Sequence, residues 1–401
     1  MTKNKTKNKN NHSNKINKYT ILALTCLSLL VNFWAWSVLS SMAKSYSDLF
    51  KLSSFNTALL VASPIILGAI GRILVGLLAD KYGGKRLIVI TSFLSAAVIL
   101  FLVNVNTVSQ LFMVALALGI AGTSFAAGSL FISNWFPKNE RGLALGIYAF
   151  GNAGTAISGF VTPKLVDCFS LRIAYFILFT VLIITGILMA FFTEESSNWQ
   201  PSKDGGVKRF KNAIKWKLTW RLALLYGLTF GGFVALSLYL PTLLIKSYGL
   251  SASDAAARAA GLALIATLLR PVGGWLSDKV SGLLVLKIVF SAVGFLALFA
   301  SFSPKLMPIG TIVFLSIGVM FGIGNGAVFA VIGHRCNEKL IGTVTGIVGA
   351  IGGVGGYIPT LIMGLSSQIT NSYSIAFVLL AVTSFAVAIS MRRLFGYSKT
   401  Y

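Results

Sequence analysis

The sequence has 401 residues, of which 56% are hydrophobic and only 11% charged, and its mean hydropathy is +0.82. Soluble domains carry roughly 25% charged residues, so this composition excludes a soluble globular protein. The formal net charge of +24 would suggest a nucleic-acid partner in a soluble chain, but the placement of the charges assigns it to membrane topology instead.

Residues 1–18, MTKNKTKNKNNHSNKINK, form a Lys/Asn tail with nothing to bury, and it is expected to be disordered in the cytoplasm. It lacks the apolar stretch and small-residue cleavage site of a removed signal peptide. Apolar runs long enough to cross about 30 Å of hydrocarbon then follow. The predicted spans of helices one to six are 19–41, 57–79, 87–103, 108–133, 142–163 and 173–192. A polar stretch over 193–218 reads as a cytoplasmic linker. Helices seven to twelve are predicted at 219–245, 257–276, 284–302, 308–332, 342–365 and 373–391. The expected domains are thus the tail, a six-helix half over 19–192, the linker, and a second half with a short tail over 219–401.

With residue 1 inside, 25 of the 34 Lys and Arg fall on the cytoplasmic side and 7 outside. That bias is the positive-inside pattern of a protein with both termini in the cytoplasm. The fold class expected is an all-α membrane protein of twelve transmembrane helices in two pseudo-symmetric halves. It would be a multi-pass, monomeric protein of a bacterial cytoplasmic membrane, with the lipid bilayer but no nucleic acid as partner. Cys26, Cys168 and Cys336 lie far apart without metal-ligand spacing, so no disulfide framework, metal or cofactor is expected.

The two halves repeat one pattern. Helix two carries GRILVGLLADKYGGKR and helix eight LRPVGGWLSDKVSG; in each an Arg (Arg72, Arg270) precedes an Asp-Lys pair by eight residues. The copies are 198 residues apart, as in transporters whose parallel repeats enclose a central site. Eight residues of helix rise about 12 Å, which puts both arginines near the bilayer midplane if Asp80 and Asp278 mark its surface.

An Arg at that depth costs roughly 2.5–3.5 kcal/mol on insertion scales. No carboxylate offsets it, because all ten acids lie at predicted helix ends or in loops. Two unpaired guanidiniums call for an anion, and their planar forks suit a trigonal oxyanion or a carboxylate. The alternative is that carbonyls and water satisfy both. Aromatic residues occur at similar depth: Phe33, Trp34 and Trp36 in helix one, Phe125 in helix four, Tyr226 and Phe230 in helix seven. Each could be ordinary packing, but Tyr226 and Phe230 are one turn apart and share a face. Glycine runs in helices five and eleven allow close helix contact. Asn152 and Asn325, flanked by glycines, are polar groups that either bond to substrate or tie helices together.

Asp80, Lys81, Asp278 and Arg141 (in FPKNERG) fall on the cytoplasmic side and suit contacts that hold the inner face closed. His12 lies in the tail and His334 at the end of helix ten, so no proton site is evident within the membrane. Anion exchange is therefore the simpler coupling, with proton symport through water or the anion left open. No nucleophile–base set indicates an enzyme, and the roughly 25-residue linker has no room for a sensor's effector domain.

GRILVGLLADKYGGKR resembles the loop motif of the major facilitator superfamily. The run 122–156, GTSFAAGSLFISNWFPKNERGLALGIYAFGNAGTA, and GTVTGIVGAIGGVGGYIP in helix eleven resemble the two signatures of its nitrate/nitrite porter family. This resemblance implies nitrate-binding roles for Arg72 and Arg270, and substrate-flanking roles for Tyr226, Phe230, Phe125, Asn152 and the helix-one pair Phe33 and Trp36. It implies alternating-access transport of nitrate and nitrite, by exchange or by proton symport, with formate or oxalate as rival small anions. WLSDKVSGLL departs from the superfamily motif in lacking its basic cluster.

Overall fold

The computed structural model describes residues 17–52, 54–202, 204–336, 340–370 and 372–395. Most of the expected N-terminal tail, with His12, and the end of the C-terminal tail lie outside the described residues. Among those described, twelve helices are long and apolar enough to cross a membrane. Helices one to six run Lys18–Ser41, Ser54–Tyr82, Gly84–Val103, Val108–Trp135, Arg141–Cys168 and Leu171–Phe192. Helix seven is Lys217–Tyr248, and helix eight is Ala252–Leu268 continued as Arg270–Lys279. Helices nine to twelve are Gly282–Ala300, Leu306–Arg335, Ile341–Thr370 and Ser374–Phe395. The apolar runs of the sequence thus mark every crossing.

Local chemistry sets the ends. Asn17 caps helix one by accepting from the Tyr19 N–H, and Ser170 caps helix six in the same way. Thr107 and Gln110 form a capping box at the start of helix four. Gly249, at φ +68°, closes helix seven in a left-handed conformation that a Cβ would penalise. Two breaks fall inside crossings. Helix five passes through a 3₁₀ turn at Phe150–Ala153. Helix eight bends at Leu269, where Pro271 supplies no N–H to continue the ladder.

The linker is more ordered than its polar composition suggests. A helix over Gly206–Lys215 turns Arg209 and Ala213 inward and leaves Lys208, Lys211 and Lys215 exposed. Among the described residues, twelve crossings put this linker, the start of helix one and the end of helix twelve on one face, called here the linker face.

The halves meet along helix two against helix eleven and helix five against helices eight and ten. Small residues bring the backbones together: a Cβ on Gly76 would lie 2.3 Å from the Gly342 carbonyl, and one on Gly274 2.1 Å from that of Gly142. One apolar cluster joins the second half to the linker-face part of the first, whereas the far end of the first half forms a separate cluster. The halves therefore share a core at the linker face and part toward the opposite face.

Candidate functional site

Arg72 shows how helix two sorts its faces. Ile70 and Leu74 point outward with exposures of 64% and 59%, while Arg72 between them is 4% exposed. Its Nε donates to the Gly122 carbonyl at 3.0 Å, and its Nη1 to that of Gly349 at 2.9 Å. Gly122 belongs to the first half and Gly349 to the second, so this side chain ties the halves together. The absence of a side chain at Gly349 lets helix eleven run close to the Arg72 side chain, since a Cβ there would be 3.3 Å from Arg72 Cδ.

Arg270 begins the second segment of helix eight, just after the bend, and is 1% exposed. Its Cζ lies 5.6 Å and 5.5 Å from the ring centres of Phe230 and Phe233, a cation–π setting. Its Nε and Nη2 are buried without a hydrogen-bond partner. Among the described residues no carboxylate pairs with either arginine.

An aromatic chain connects the two. Tyr226 and Phe230 stack with their ring centres 4.9 Å apart and their planes 6° from parallel. Phe329 of helix ten stands edge-on to both Tyr226 and Phe125, at 4.8 Å from each. Phe125 in turn lies 6.0 Å from Arg72 Cζ and stacks on Tyr148. Contacts thus run from Arg72 through Phe125, Phe329, Tyr226 and Phe230 to Arg270. Phe329 and Phe233 were not singled out from the sequence. Their only signal there is helical spacing, Phe329 four residues after Asn325 and Phe233 three after Phe230. On the side away from the linker face, a cleft of about 10 Å³ leads to Arg72. Trp36, Ile65, Gly68, Ala69, Phe230, Val234 and Gly353 line it with Arg72.

The remaining candidates divide. Phe33 is buried against Trp36, their rings 5.3 Å apart, while Trp34 turns away to donate to Thr162. Asn152 sits in the 3₁₀ turn of helix five and donates to the Ala149 carbonyl at 2.6 Å. None of its hydrogen bonds reaches the arginines or the aromatic chain.

The linker face carries two related locks. Asp80, at the end of helix two, accepts from the Gly342 and Thr343 N–H groups at 3.1 and 3.0 Å and from the Thr343 hydroxyl. Asp278, at the end of helix eight, accepts from the Gly142 and Leu143 N–H groups at 3.0 and 2.7 Å. Each carboxylate of one half caps the fifth helix of the other, where the helix dipole favours an anion. Each also has a basic neighbour. Arg209 of the linker helix lies 3.6 Å from Asp80, and His334 Nε2 lies 2.8 Å from Asp278. Arg141 adds a cross-half tie, its Nη1 donating to the Gly333 carbonyl of helix ten at 2.9 Å. Lys81 stays outside this network, exposed with its ammonium over the Tyr82 ring. Arg209 was not singled out from the sequence, because it stands among lysines in a polar segment and nothing there marks it as the buried one.

No three His, Cys, Asp or Glu among the described residues group as a metal site would require. What the arrangement offers is a buried, doubly cationic, aromatic-walled site between two halves locked on one face.

The profile of the Major Facilitator Superfamily matches residues 25–360. The chain is 38% identical over 367 residues to the "Probable nitrate/nitrite transporter NarK2" of Mycobacterium tuberculosis, covering 90% of this chain and 93% of that protein. It is 33% identical to the "Nitrite extrusion protein" of Bacillus subtilis, over 92% and 93% of the two chains. To the "Probable nitrate transporter NarT" of Staphylococcus haemolyticus it is 34% identical, over 95% and 97%. Its fold is similar to that of the superfamily transporter FucP in the outward conformation, with a TM-score of 0.75 at 19% identity over 94% and 99% of the chains. Human MFSD10 gives a TM-score of 0.76 at 12% identity, over 93% and 99%. The chain is a multi-pass protein of the bacterial cell membrane and belongs to the nitrate/nitrite porter family of the major facilitator superfamily.

Proposed function

We propose that this protein transports nitrate and nitrite by alternating access, exchanging one anion for the other across the cytoplasmic membrane. The observation that carries the reading is the pair of buried arginines at the ends of one aromatic chain, with no carboxylate paired to them. The names of the relatives support the choice of anion.

Arg270 Nε and Nη2 supply hydrogen-bond donors that a planar oxyanion fills. Arg72 adds the second charge and holds the two halves through Gly122 and Gly349. Tyr226, Phe230, Phe125 and Phe329 fix the plane of the anion and keep water out. The cleft has room for about one water, so the anion enters when the aromatic walls move aside. Asp80, Asp278 and Arg141 form the gate on the linker face, which the Lys/Arg bias places in the cytoplasm. The conformation is then one closed inward.

Exchange follows from electrostatics. Without an anion, bringing two guanidiniums together in a low-dielectric site is costly; with one, it is not. The empty carrier should therefore cross between states slowly. No carboxylate or histidine contacts the arginines or the aromatic chain among the described residues, so a proton has no obvious residue to ride on.

Uptake into proteoliposomes loaded with nitrite tests the substrate. Labelled nitrate is expected to enter, unlabelled nitrite to compete, and formate and oxalate to compete weakly. Stronger competition by formate or oxalate than by nitrite would assign a carboxylate carrier instead.

A further inference from the structure

We propose that Asn325 is a further residue of the anion site, donating its side-chain amide to an oxygen of the bound anion beside Arg270. The proposal rests on the substrate reading above and adds a selectivity determinant to it.

Asn325 lies in helix ten between Gly324 and Gly326 and is 1% exposed, and neither its Nδ2 nor its Oδ1 has a hydrogen-bond partner. A buried amide left wholly unpaired is rare in folded proteins and calls for an explanation. It stands at the depth of Arg270, because a Cβ on the adjacent Gly326 would lie 2.0 Å from the Arg270 carbonyl. Two groups with unpaired polar atoms thus occur at one level of two touching helices.

The direction of the side chain follows from its neighbours. Phe321, Asn325 and Phe329 recur every four residues and share one face of helix ten. Phe329 meets Tyr226 and Phe125 at the site. Phe321 packs on helix seven, where a Cβ on Gly232 would lie 2.4 Å from its ring. Asn325 sits between them on the face that carries the site's aromatics.

An amide adds a donor without adding charge. The Arg270 fork and the Asn325 N–H together supply donors from two directions, which suits the separate in-plane oxygens of nitrate or nitrite. A spherical halide cannot meet both as well. Asn325 Oδ1 is free to accept a remaining Arg270 N–H and hold the guanidinium in place.

The test compares wild type with Asn325→Leu and Asn325→Asp, using purified protein titrated with nitrate, nitrite and chloride and followed by thermal unfolding. Asn325→Leu removes unpaired polar atoms from a buried position and is expected to be at least as stable as wild type without anion. Its nitrate affinity is expected to fall about tenfold, the loss of one hydrogen bond to a charged group, and its nitrate-over-chloride preference to narrow. Asn325→Asp is expected to fold, with its carboxylate paired to Arg270, and to lose nitrate binding. A leucine variant that fails to fold, or keeps the wild-type affinity and preference, overturns the proposal. No response of wild type to nitrate or nitrite overturns the substrate reading itself.

Discussion

Arg72 donates to two backbone carbonyls, whereas Arg270 keeps Nε and Nη2 unpartnered over two aromatic faces. The first is a tether between the halves, and in the proposed function also a ligand; the second keeps the donors that the proposal assigns to the anion. Lysine keeps the charge but not the planar fork. Arg270→Lys is expected to reduce nitrate uptake at least about 100-fold, from the loss of two hydrogen bonds to a charged group, with little change in the anion-free melting temperature. Arg72→Lys is expected to reduce uptake similarly and to lower that temperature, because the Gly122 and Gly349 ties are lost. Wild-type uptake in either variant removes that Arg from the site. Both arginines were legible in the sequence because a charge within an apolar run is costly and conspicuous. Phe329 and Phe233 were not, since one more phenylalanine in a transmembrane helix looks like any other. The asymmetry between the arginines also has no sequence signal, because it depends on which carbonyls lie within reach.

Among the elements, helix eleven works through what it lacks. A Cβ at Gly352 would lie 2.2 Å from Tyr226 Cδ1, so Gly352→Ala must displace the ring that stacks on Phe230. Uptake is expected to fall at least about tenfold, the effect of about 1.4 kcal/mol, in protein that remains folded and monodisperse. The linker helix reaches the Asp80 lock. Arg209, only 2% exposed, is a buried charge beside Asp80. Arg209→Ala is expected to loosen the Asp80 cap, seen as faster hydrogen exchange over residues 341–346; unchanged protection would leave Arg209 a bystander.

Glu195 of the linker shows a second tie of this kind. It accepts the Lys85 N–H at 2.7 Å at the start of helix three, and burial pushes its carboxyl up to about 7 despite that bond and the nearby Lys85 and Arg86. A carboxyl raised above its ordinary value favours the fold most below that ordinary value, near 4.5, and loses the contribution as pH rises through about 7. Glu195→Gln is expected to flatten the decline in melting temperature between pH 5 and pH 8; an unchanged slope would contradict this. Helix positions were legible in the sequence because span length is fixed by hydrocarbon thickness. The linker's role was not, because burying Arg209 depends on where helices two and eleven end in space.

For the whole molecule, the repeat of Arg and Asp at equal spacing marks the two halves in the sequence, and the central site stays a proposal built on it. The reciprocal arrangement of the locks required the structure. Asp80 reaches helix eleven and Asp278 helix five, and no local pattern specifies a partner more than a hundred residues away. With the linker face locked and the far ends in separate clusters, the proposed exchange mechanism predicts that loaded and empty carriers differ in the cost of crossing. Counterflow of labelled nitrate into proteoliposomes, empty or loaded with nitrite, at a series of pH values tests that difference directly. Exchange predicts rapid uptake into loaded vesicles, little into empty ones, and no acidification of the lumen. Equal uptake into empty vesicles together with a falling internal pH would contradict it and establish proton symport.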